Sequence, residues 1–405
     1  MESSTPSRGN SERACTPPGV TGRTRRTDPL ALLSAEFDGV HDVWRSASGA
    51  VCVAGPEAAR DVLGNRDATV AETSDFYRTR RGVFGPRDAQ VQIARSARAL
   101  LRRHLDLRRP DLPGLVAERL VPTSVWPDAG NLLVFQHLRD ALLRRDAPDE
   151  LHAVVAEIVA RAVLAGARSR HSAPSRLIFR RRAQRTLLAE ITARRAALRQ
   201  ARPAGQRPEA RDLLDAVVVG SGPMADPRDL VEVYLSFLFA TAGSIGFALG
   251  WSVYLSGMHP NSPAGEPSWT VREALRLWPV AWLFGRTPSR VHDLGGTTVT
   301  PRDQLAVCTY LVHRHPGHWE RPDEFVPERW ADPAADPAFL PFGHGPHSCA
   351  GATVAMRLLE DLVHVITRDW HLSVAPVGDG PVGPSLAPPR FTAVLSARAD
   401  RPRRR

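Results

Sequence analysis

The sequence predicts a mainly α-helical protein in which one large helical domain includes a small β-rich part. Apolar residues recur at helical spacing from Val91 to Leu105, with arginines between them. A second stretch, Val233–Leu255, runs for twenty-three residues without a charge. Short apolar runs such as Ala50–Ala54 are typical of strands. The 43% apolar content of the 405 residues is enough for a sizeable core.

The net charge of +10 is concentrated at the two ends of the chain. Residues 1–26 contain five Arg and two Glu, and residues 398–405 contain five Arg and one Asp. The remaining body is nearly balanced, which argues against a dedicated nucleic-acid groove. We expect a disordered basic extension over residues 1–27, a single domain over 28–397 and a basic tail over 398–405. The extension lacks the apolar core of a signal peptide or membrane anchor.

Four cysteines, Cys15, Cys52, Cys308 and Cys349, are scattered along the chain without any C-x-x-C pair. This is not a disulfide framework, and it fits a reducing, cytoplasmic location. A single cysteine is most often a small buried apolar residue, and this is our interpretation of Cys15, Cys52 and Cys308.

After the first strands, helices are predicted from Pro56 onward and again over residues 133–201. The stretch 176–199 is dense in arginine. Such a run is typical of a solvated helix face, and an acidic partner or an anionic substrate is the alternative.

The uncharged stretch Val233–Leu255 is long enough to span a membrane. However, Gly243, Gly246 and Gly250 interrupt it, and no basic cluster flanks it to set an orientation. A helix that is apolar all round also occurs in the centre of large globular proteins. We therefore predict a buried central helix and no membrane association.

The C-terminal third alternates between short elements and coil. A helix is predicted over Val271–Trp278, β-like runs over 280–308, a long ordered coil over 313–346 and a helix over 351–368, with strands closing the chain. The coil includes His313, His315 and His318. A zinc site there is disfavoured because no acidic or cysteine ligand stands at a firm spacing.

The most informative segment is the Gly-rich loop Phe342–Gly351, in which Cys349 stands just before an apolar helix. Backbone N–H groups in such a loop can point at the sulfur and favour the thiolate. Glycines allow the main chain to pass close to a flat, bulky partner. Phe342 provides an aromatic ring that can shield the sulfur.

Phe342, Gly345, His347, Cys349 and Gly351 together resemble the haem-binding signature of the cytochromes P-450. Two further motifs occur in the family's order. Glu273-Ala-Leu-Arg276 is similar to its E-x-x-R motif, and the segment around Arg329 is similar to its P-E-R-F/W motif. The resemblance implies the cytochrome P-450 fold, haem b (iron protoporphyrin IX) as cofactor and Cys349 as the axial ligand of the haem iron.

The resemblance also implies roles for charged residues. Glu273, Arg276 and Arg329 are expected to form a buried, fully paired structural trio near the haem. His347 and Arg286 match positions that bind the haem propionates, and Arg98 or Arg102 is the candidate for a third such group. The exposed-cation interpretation of each arginine stays open.

The central helix departs from the family pattern A-G-x-D/E-T. Alignment on Ala242-Gly243 puts Ile245 at the acid position and Gly246 at the alcohol position, and Ser244 and Thr241 are the nearby hydroxyls. Either hydroxyl can instead bond its own i−4 carbonyl. The usual proton relay is therefore in doubt, and the connection from Gly243 to Glu273 is short enough to predict a trimmed intervening helix.

The resulting hypothesis is a monomeric monooxygenase or oxidase that hydroxylates or oxidatively couples a specialised bacterial metabolite. Electrons are expected from a ferredoxin and its reductase, because the sequence has no flavin or nicotinamide fingerprint. The alternatives are a haem-binding sensor without normal turnover and a membrane-associated helical protein. Lid-like substrate segments are expected near 65–90 and 165–185. The triplets Asp75-Phe76-Tyr77 and Trp282-Leu283-Phe284 are interpreted as core, with an aromatic pocket as the alternative.

Overall fold

The computed structural model describes residues 29–398, except 72, 73, 75, 165–170, 201–208, 261–265, 333–335 and 378–385. The expected N-terminal extension and most of the C-terminal tail therefore lie outside the described residues. The helices are α1 Pro29–Glu36, α2 Pro56–Gly64, α3 Arg87–Arg108, α4 Leu112–Leu120, α5 Asp128–Leu142, α6 Asp149–Ile158, α7 Ala173–Gln200, α8 Leu213–Gly220, α9 Pro227–Leu238, α10 Gly246–Met258, α11 Pro267–Leu277, α12 Thr309–Val312 and α13 Ala352–Asp369.

Several of these helices begin where the sequence satisfies their first N–H groups. The Asp226 carboxylate accepts a hydrogen bond from the backbone N–H of Arg228 at 2.7 Å, and Pro227 opens α9. The Asp212 carboxylate caps α8 in the same way. Helix α3 buries an apolar face that includes Ile93, so its arginines point outward or towards the loop before α13.

Four small sheets make up the β-rich part. The strands are β1 Val43–Arg45, β2 Val51–Val53, β3 Arg78–Thr79, β4 Gly82–Val83, β5 Thr123–Trp126, β6 Leu283–Arg286, β7 His292–Leu294, β8 Thr297–Val299, β9 Leu305–Cys308, β10 Trp370–Pro376 and β11 Phe391–Ala397. The largest sheet has the order β1-β2-β9-β6, and β10-β11-β5 form a second. The pairs β3-β4 and β7-β8 are hairpins.

The predicted central helix is present, but it is not α-helical throughout. Helices α9 and α10 are joined without a break by a π-helical segment, Phe239–Ile245. Over Pro227–Met258 the helix is apolar and long enough to cross a membrane, yet 67% of its most apolar window is buried inside the protein. Such burial is typical of a core helix.

The helical stretch predicted over 133–201 is three helices, α5, α6 and α7, with a short π-helical segment at Val159–Val163. Most arginines of α7 are exposed, as a solvated face requires. Arg195 is half-buried and Arg194 is buried, with its guanidinium 2.6 Å from both Asp212 and Asp215. This ion-pair cluster fastens α7 to α8.

Candidate functional site

The Cys349 loop is fixed by backbone hydrogen bonds and by contact with α2. The Cys349 N–H donates to the Phe342 carbonyl at 2.9 Å, and the Ser348 N–H donates to the Gly345 carbonyl at 3.1 Å. Gly345 has φ +73°, and a Cβ there would lie 2.6 Å from the Cα of Gly64. Only glycine therefore fits, because the loop backbone touches the α2 backbone. Phe342 is half-buried against the main core.

Among the cysteines that the structure describes, Cys349 is exposed, whereas Cys52 and Cys308 are buried. The surrounding protein desolvates its thiol and raises its pKa, while the Gly351 N–H and the charge of Arg98 act in the opposite direction. The loop amide thus favours the thiolate as expected, but desolvation outweighs it. A Cβ on Gly351 would lie 3.8 Å from the sulfur, at ordinary van der Waals distance, so Gly351 borders the thiol.

The two candidate arginines on α3 have different surroundings. The Nε of Arg98 is buried and has no hydrogen-bond partner within the described part of the chain. Arg102 is exposed and its guanidinium donates to the Thr353 hydroxyl at 3.2 Å, at the start of α13. A buried donor without an acceptor costs free energy, and this distinguishes the surroundings of Arg98 from those of Arg102.

The other two candidates for anion binding lie at the edges of the same region. Arg286 is buried at the end of β6, where its guanidinium donates to the Gly285 carbonyl at 2.7 Å. His347 is half-buried, and its Nδ1 lies 3.4 Å from the guanidinium of Arg87. Arg87 also donates to the Pro346 carbonyl and so ties the start of α3 to the loop. No local sequence signal identified Arg87.

The structure brings Glu273, Arg276 and Arg329 together. Arg276 donates to both carboxylate oxygens of Glu273, at 2.9 and 2.8 Å, and the Arg329 Nε donates at 3.2 Å. The Trp330 indole and the Val326 backbone N–H, both at 2.9 Å, complete the shell around the carboxylate. Glu273 and Arg276 are both fully buried, so this pairing is what makes their charges tolerable.

His313 of the coil makes hydrogen bonds to backbone atoms. His313 is fully buried, its Nε2 accepts from the Leu340 N–H at 2.7 Å and its Nδ1 lies 3.1 Å from the Arg276 carbonyl. Burial lowers the pKa of His313 to about 3, so the ring is neutral. Because both ring nitrogens are used, His313 has none left for a metal ion.

On the central helix, the structure separates the four residues that the sequence grouped. A Cβ on Gly246 would lie 2.7 Å from the Cα of Asn131, so Gly246 faces α5. Ile245 is buried in the main core. The Thr241 hydroxyl donates to the Phe237 carbonyl at 2.7 Å. Ser244 is half-buried, and within the described residues its hydroxyl makes no hydrogen bond. Of the two nearby hydroxyls, only that of Thr241 is therefore bonded to its own helix within the described residues.

The two aromatic triplets belong largely to the core. Tyr77 is buried and its hydroxyl donates to the Gln90 carbonyl at 2.9 Å. Trp282 is buried in the cluster beneath the largest sheet. Phe76 packs edge-on to Phe237 of α9, with 4.8 Å between ring centroids. Asp75 lies outside the described residues.

Comparisons with known proteins agree with this arrangement. The cytochrome P450 family model matches residues 268–385, which include the trio and the cysteine loop. Among curated relatives, cyclooctatin synthase of Streptomyces melanosporofaciens is 29% identical over 38% of this chain and 39% of its own length. Cyclooctat-9-en-7-ol 5-monooxygenase of the same organism is 28% identical over 40% of this chain and 42% of its own length. The chain thus matches about two fifths of the length of these relatives.

Solved structures match over most of the chain. A zebrafish cytochrome P450 solved with progesterone has a TM-score of 0.67 at 18% identity, covering 90% of this chain and 97% of its own. The open form of the cytochrome P450 EryK of S. erythraea has a TM-score of 0.64 at 18% identity, and the match covers 92% of this chain and 97% of EryK. At this identity the likeness establishes the fold.

The residues present fit the haem iron cofactor that this family implies. Cys349 is an exposed thiol on the loop, and beside it the buried Nε of Arg98 has no acceptor among the residues that the structure describes; a haem carboxylate would provide one. The fold is therefore that of the cytochromes P450, and residues 268–385, which carry these motifs, match the cytochrome P450 family model.

Proposed function

We propose that this chain is a haem-thiolate oxidative enzyme that binds haem b and oxidises a small molecule. The single observation that carries the proposal is the Cys349 thiol, which stays accessible on a loop fixed against α2. A thiolate ligand donates electron density to iron and favours cleavage of the O–O bond. The rest of residues 28–397 forms one catalytic domain around this site.

Three residues would hold the haem carboxylates in this proposal. Arg98 would supply its unpaired guanidinium nitrogen, and Arg286 and His347 would supply donors from β6 and from the loop. Charge-assisted hydrogen bonds of this kind fix a planar ligand in orientation as well as in depth. Phe342 and Gly351 would border the thiolate ligand.

The bound haem supplies the activation of dioxygen, and the chain supplies protons and exclusion of water. Ser244 is the hydroxyl proposed to hold a proton at its Oγ, because Thr241 is committed to the Phe237 carbonyl. No acidic residue lies between Glu232 and Glu266 in the sequence. Ordered water or a substrate group is therefore proposed as the source of the proton that restores the Ser244 hydroxyl.

The substrate is proposed to be a specialised bacterial metabolite that is hydroxylated or oxidatively coupled. The printed names of two Streptomyces relatives, a synthase and a 5-monooxygenase, support small-molecule oxidation. Phe239, which is 39% exposed in the middle of the central helix, is proposed to offer an aromatic surface to the substrate.

Electrons are proposed to come from a ferredoxin and its reductase. Arginines surround the Cys349 loop: Arg60 and Arg66 lie near His344, Arg87 contacts Pro346, and Arg102 contacts Thr353. Such a basic face fits an acidic electron carrier. We further propose that the protein works as a cytoplasmic monomer.

One observation favours a second candidate, a haem-binding sensor without turnover: the central helix has no acid to accompany Ser244. Oxygen uptake separates the two. Haem-loaded protein, supplied with a ferredoxin, its reductase and NADPH in air, should consume oxygen continuously if it is an oxidative enzyme. A protein that is reduced under these conditions but consumes no oxygen, with added peroxide also producing no oxidation, would identify the sensor.

A further inference from the structure

The π-helical segment of the central helix is anchored by one side chain from α5. In a π-helical turn the usual i→i−4 pairing is displaced, and a carbonyl oxygen with two lone pairs can accept from a side chain as well as from the backbone. The side-chain amide of Asn131 donates to the Ala242 carbonyl at 2.7 Å and to the Gly243 carbonyl at 3.0 Å. Both carbonyls lie within the segment Phe239–Ile245.

The packing around this contact confines the side-chain amide of Asn131 to this position. Asn131 is fully buried. A Cβ on Gly246 would lie 2.4 Å from the Asn131 Nδ2, and a Cβ on Gly130 would lie 3.0 Å from the Gly246 carbonyl oxygen. The two helices thus meet at backbone distance, and glycine at both positions makes the approach possible.

The orientation of the amide is fixed by its two acceptors, because a flipped amide would set its oxygen against two carbonyl oxygens. The Asn131 Oδ1 is then buried without a donor among the described residues.

We propose that Asn131 is a positioning residue, which holds the π-helical segment in place and so keeps the Ser244 hydroxyl free of its own helix. It acts through the Ala242 and Gly243 carbonyls and does not touch the substrate. Without the amide, the segment relaxes towards ordinary helical pairing, and Ser244 turns with it. Its consequence for the reaction rests on the proposed function, whereas its hold on the segment does not.

Hydrogen exchange of the full chain tests the hold directly. In Asn131→Leu, the amides of residues 239–246 should exchange at least about ten-fold faster than in the wild type, while the rest of the core is unchanged. The matched control is Gln136→Leu, the same kind of change on α5 at a side chain that lines a surface recess. The control should leave the segment at the wild-type rate.

Asn131→Asp adds a readout that a purely structural role would not give. The carboxyl would face two carbonyl oxygens in a buried place, which raises its pKa. At low pH the protonated acid donates one hydrogen bond and exchange should approach that of the wild type at the same pH. As the pH rises, the carboxylate repels the carbonyls and exchange should approach that of Asn131→Leu.

Unchanged exchange in both Asn131 variants would overturn the inference, and so would acceleration spread evenly over all helices. These outcomes are separable from failure of the proposed function. If the reduced wild-type protein lacks the thiolate-type carbon monoxide band, the function fails while the exchange result still stands. If that band is present and exchange over 239–246 is unchanged, only the role of Asn131 fails.

Discussion

Arg276 and Glu273 form a two-pronged ion pair on one face of α11, with Nε–Oε2 at 2.9 Å and Nη2–Oε1 at 2.8 Å. Neither side chain is exposed. The remaining Arg276 donors reach the carbonyls of His313, Pro322 and Glu324 at 2.6–2.9 Å. The pair therefore ties α11 to the coil that leads to the cysteine loop.

Removal of one partner should be costly. Glu273→Gln leaves the buried Arg276 charge without its anion, and we expect a loss of about 3–5 kcal/mol in the free energy of unfolding. Urea unfolding followed by circular dichroism measures it. The control is Arg321→Ala, which removes an exposed pair with Glu324 at 3.4 Å and should cost about 0–1 kcal/mol. Equal losses in both variants would contradict a structural role for the trio.

His313 makes stability depend on pH in the acid range. Its pKa is lowered in the folded protein, from 6.5 to about 3, chiefly by burial. Folding therefore favours the neutral ring. The full contribution of His313 to the stability of the fold is present above pH 6.5 and is lost as the pH falls from there towards 3. Over that window the free energy of unfolding should fall by up to about 1.4 kcal/mol per pH unit.

His313→Gln isolates this effect from that of His137, whose pKa burial also lowers, to about 4. The variant should be less stable at pH 7, because the acceptor for the Leu340 N–H is altered. The difference from the wild type should shrink as the pH is lowered. A difference that stays constant from pH 7 to 4 would show that His313 does not titrate as described.

Arg98 should matter more than Arg102 for haem retention. Arg98→Ala removes a buried donor that has no acceptor in the described part of the chain, and haem should dissociate about ten-fold faster, as expected for one lost charge-assisted bond. Arg102→Ala removes an exposed contact to Thr353 and should change the rate about two-fold or less. Transfer of haem to excess apomyoglobin measures both rates. A larger effect from Arg102→Ala would reverse the assignment.

Ser244 and Thr241 should differ in their effect on turnover. Ser244→Ala should lower ferredoxin-driven oxidation by about 10²-fold, the scale of a lost proton donor. Turnover driven by added peroxide, which already contains the reduced oxygens and protons, should fall much less. Thr241→Val removes a hydroxyl that bonds the Phe237 carbonyl and should leave both rates near those of the wild type. A normal ferredoxin-driven rate in Ser244→Ala would exclude its proposed role.

Local patterns predicted much of this molecule. The spacing of apolar residues located α3, α11 and α13 to within a few residues, and the Gly-rich loop before α13 singled out Cys349. The charged trio was found because its motifs are contiguous and lie in the family's order. These features depend on neighbours in sequence, where helical periodicity and turn chemistry are strong signals.

Features that depend on distant contacts were not predicted. The packing of Asn131 of α5 against Gly246 was not predicted, because nothing in the sequence around Gly246 reveals it. The choice between Arg98 and Arg102 needed the burial of each side chain. Strand β5 was missed because it is short and is held by pairing with β11, far along the chain.

The central claim is that the Cys349 thiolate is the axial ligand of the haem iron. The most direct test is the absorption spectrum of the reduced, carbon monoxide-treated protein. We expect the red-shifted Soret band of thiolate-ligated haem in the wild type. Cys349→Ala should lose that band, and Cys52→Ala, which alters a buried cysteine, should keep it. A wild-type spectrum without the red-shifted band, or a Cys349→Ala protein that retains it, would contradict the claim.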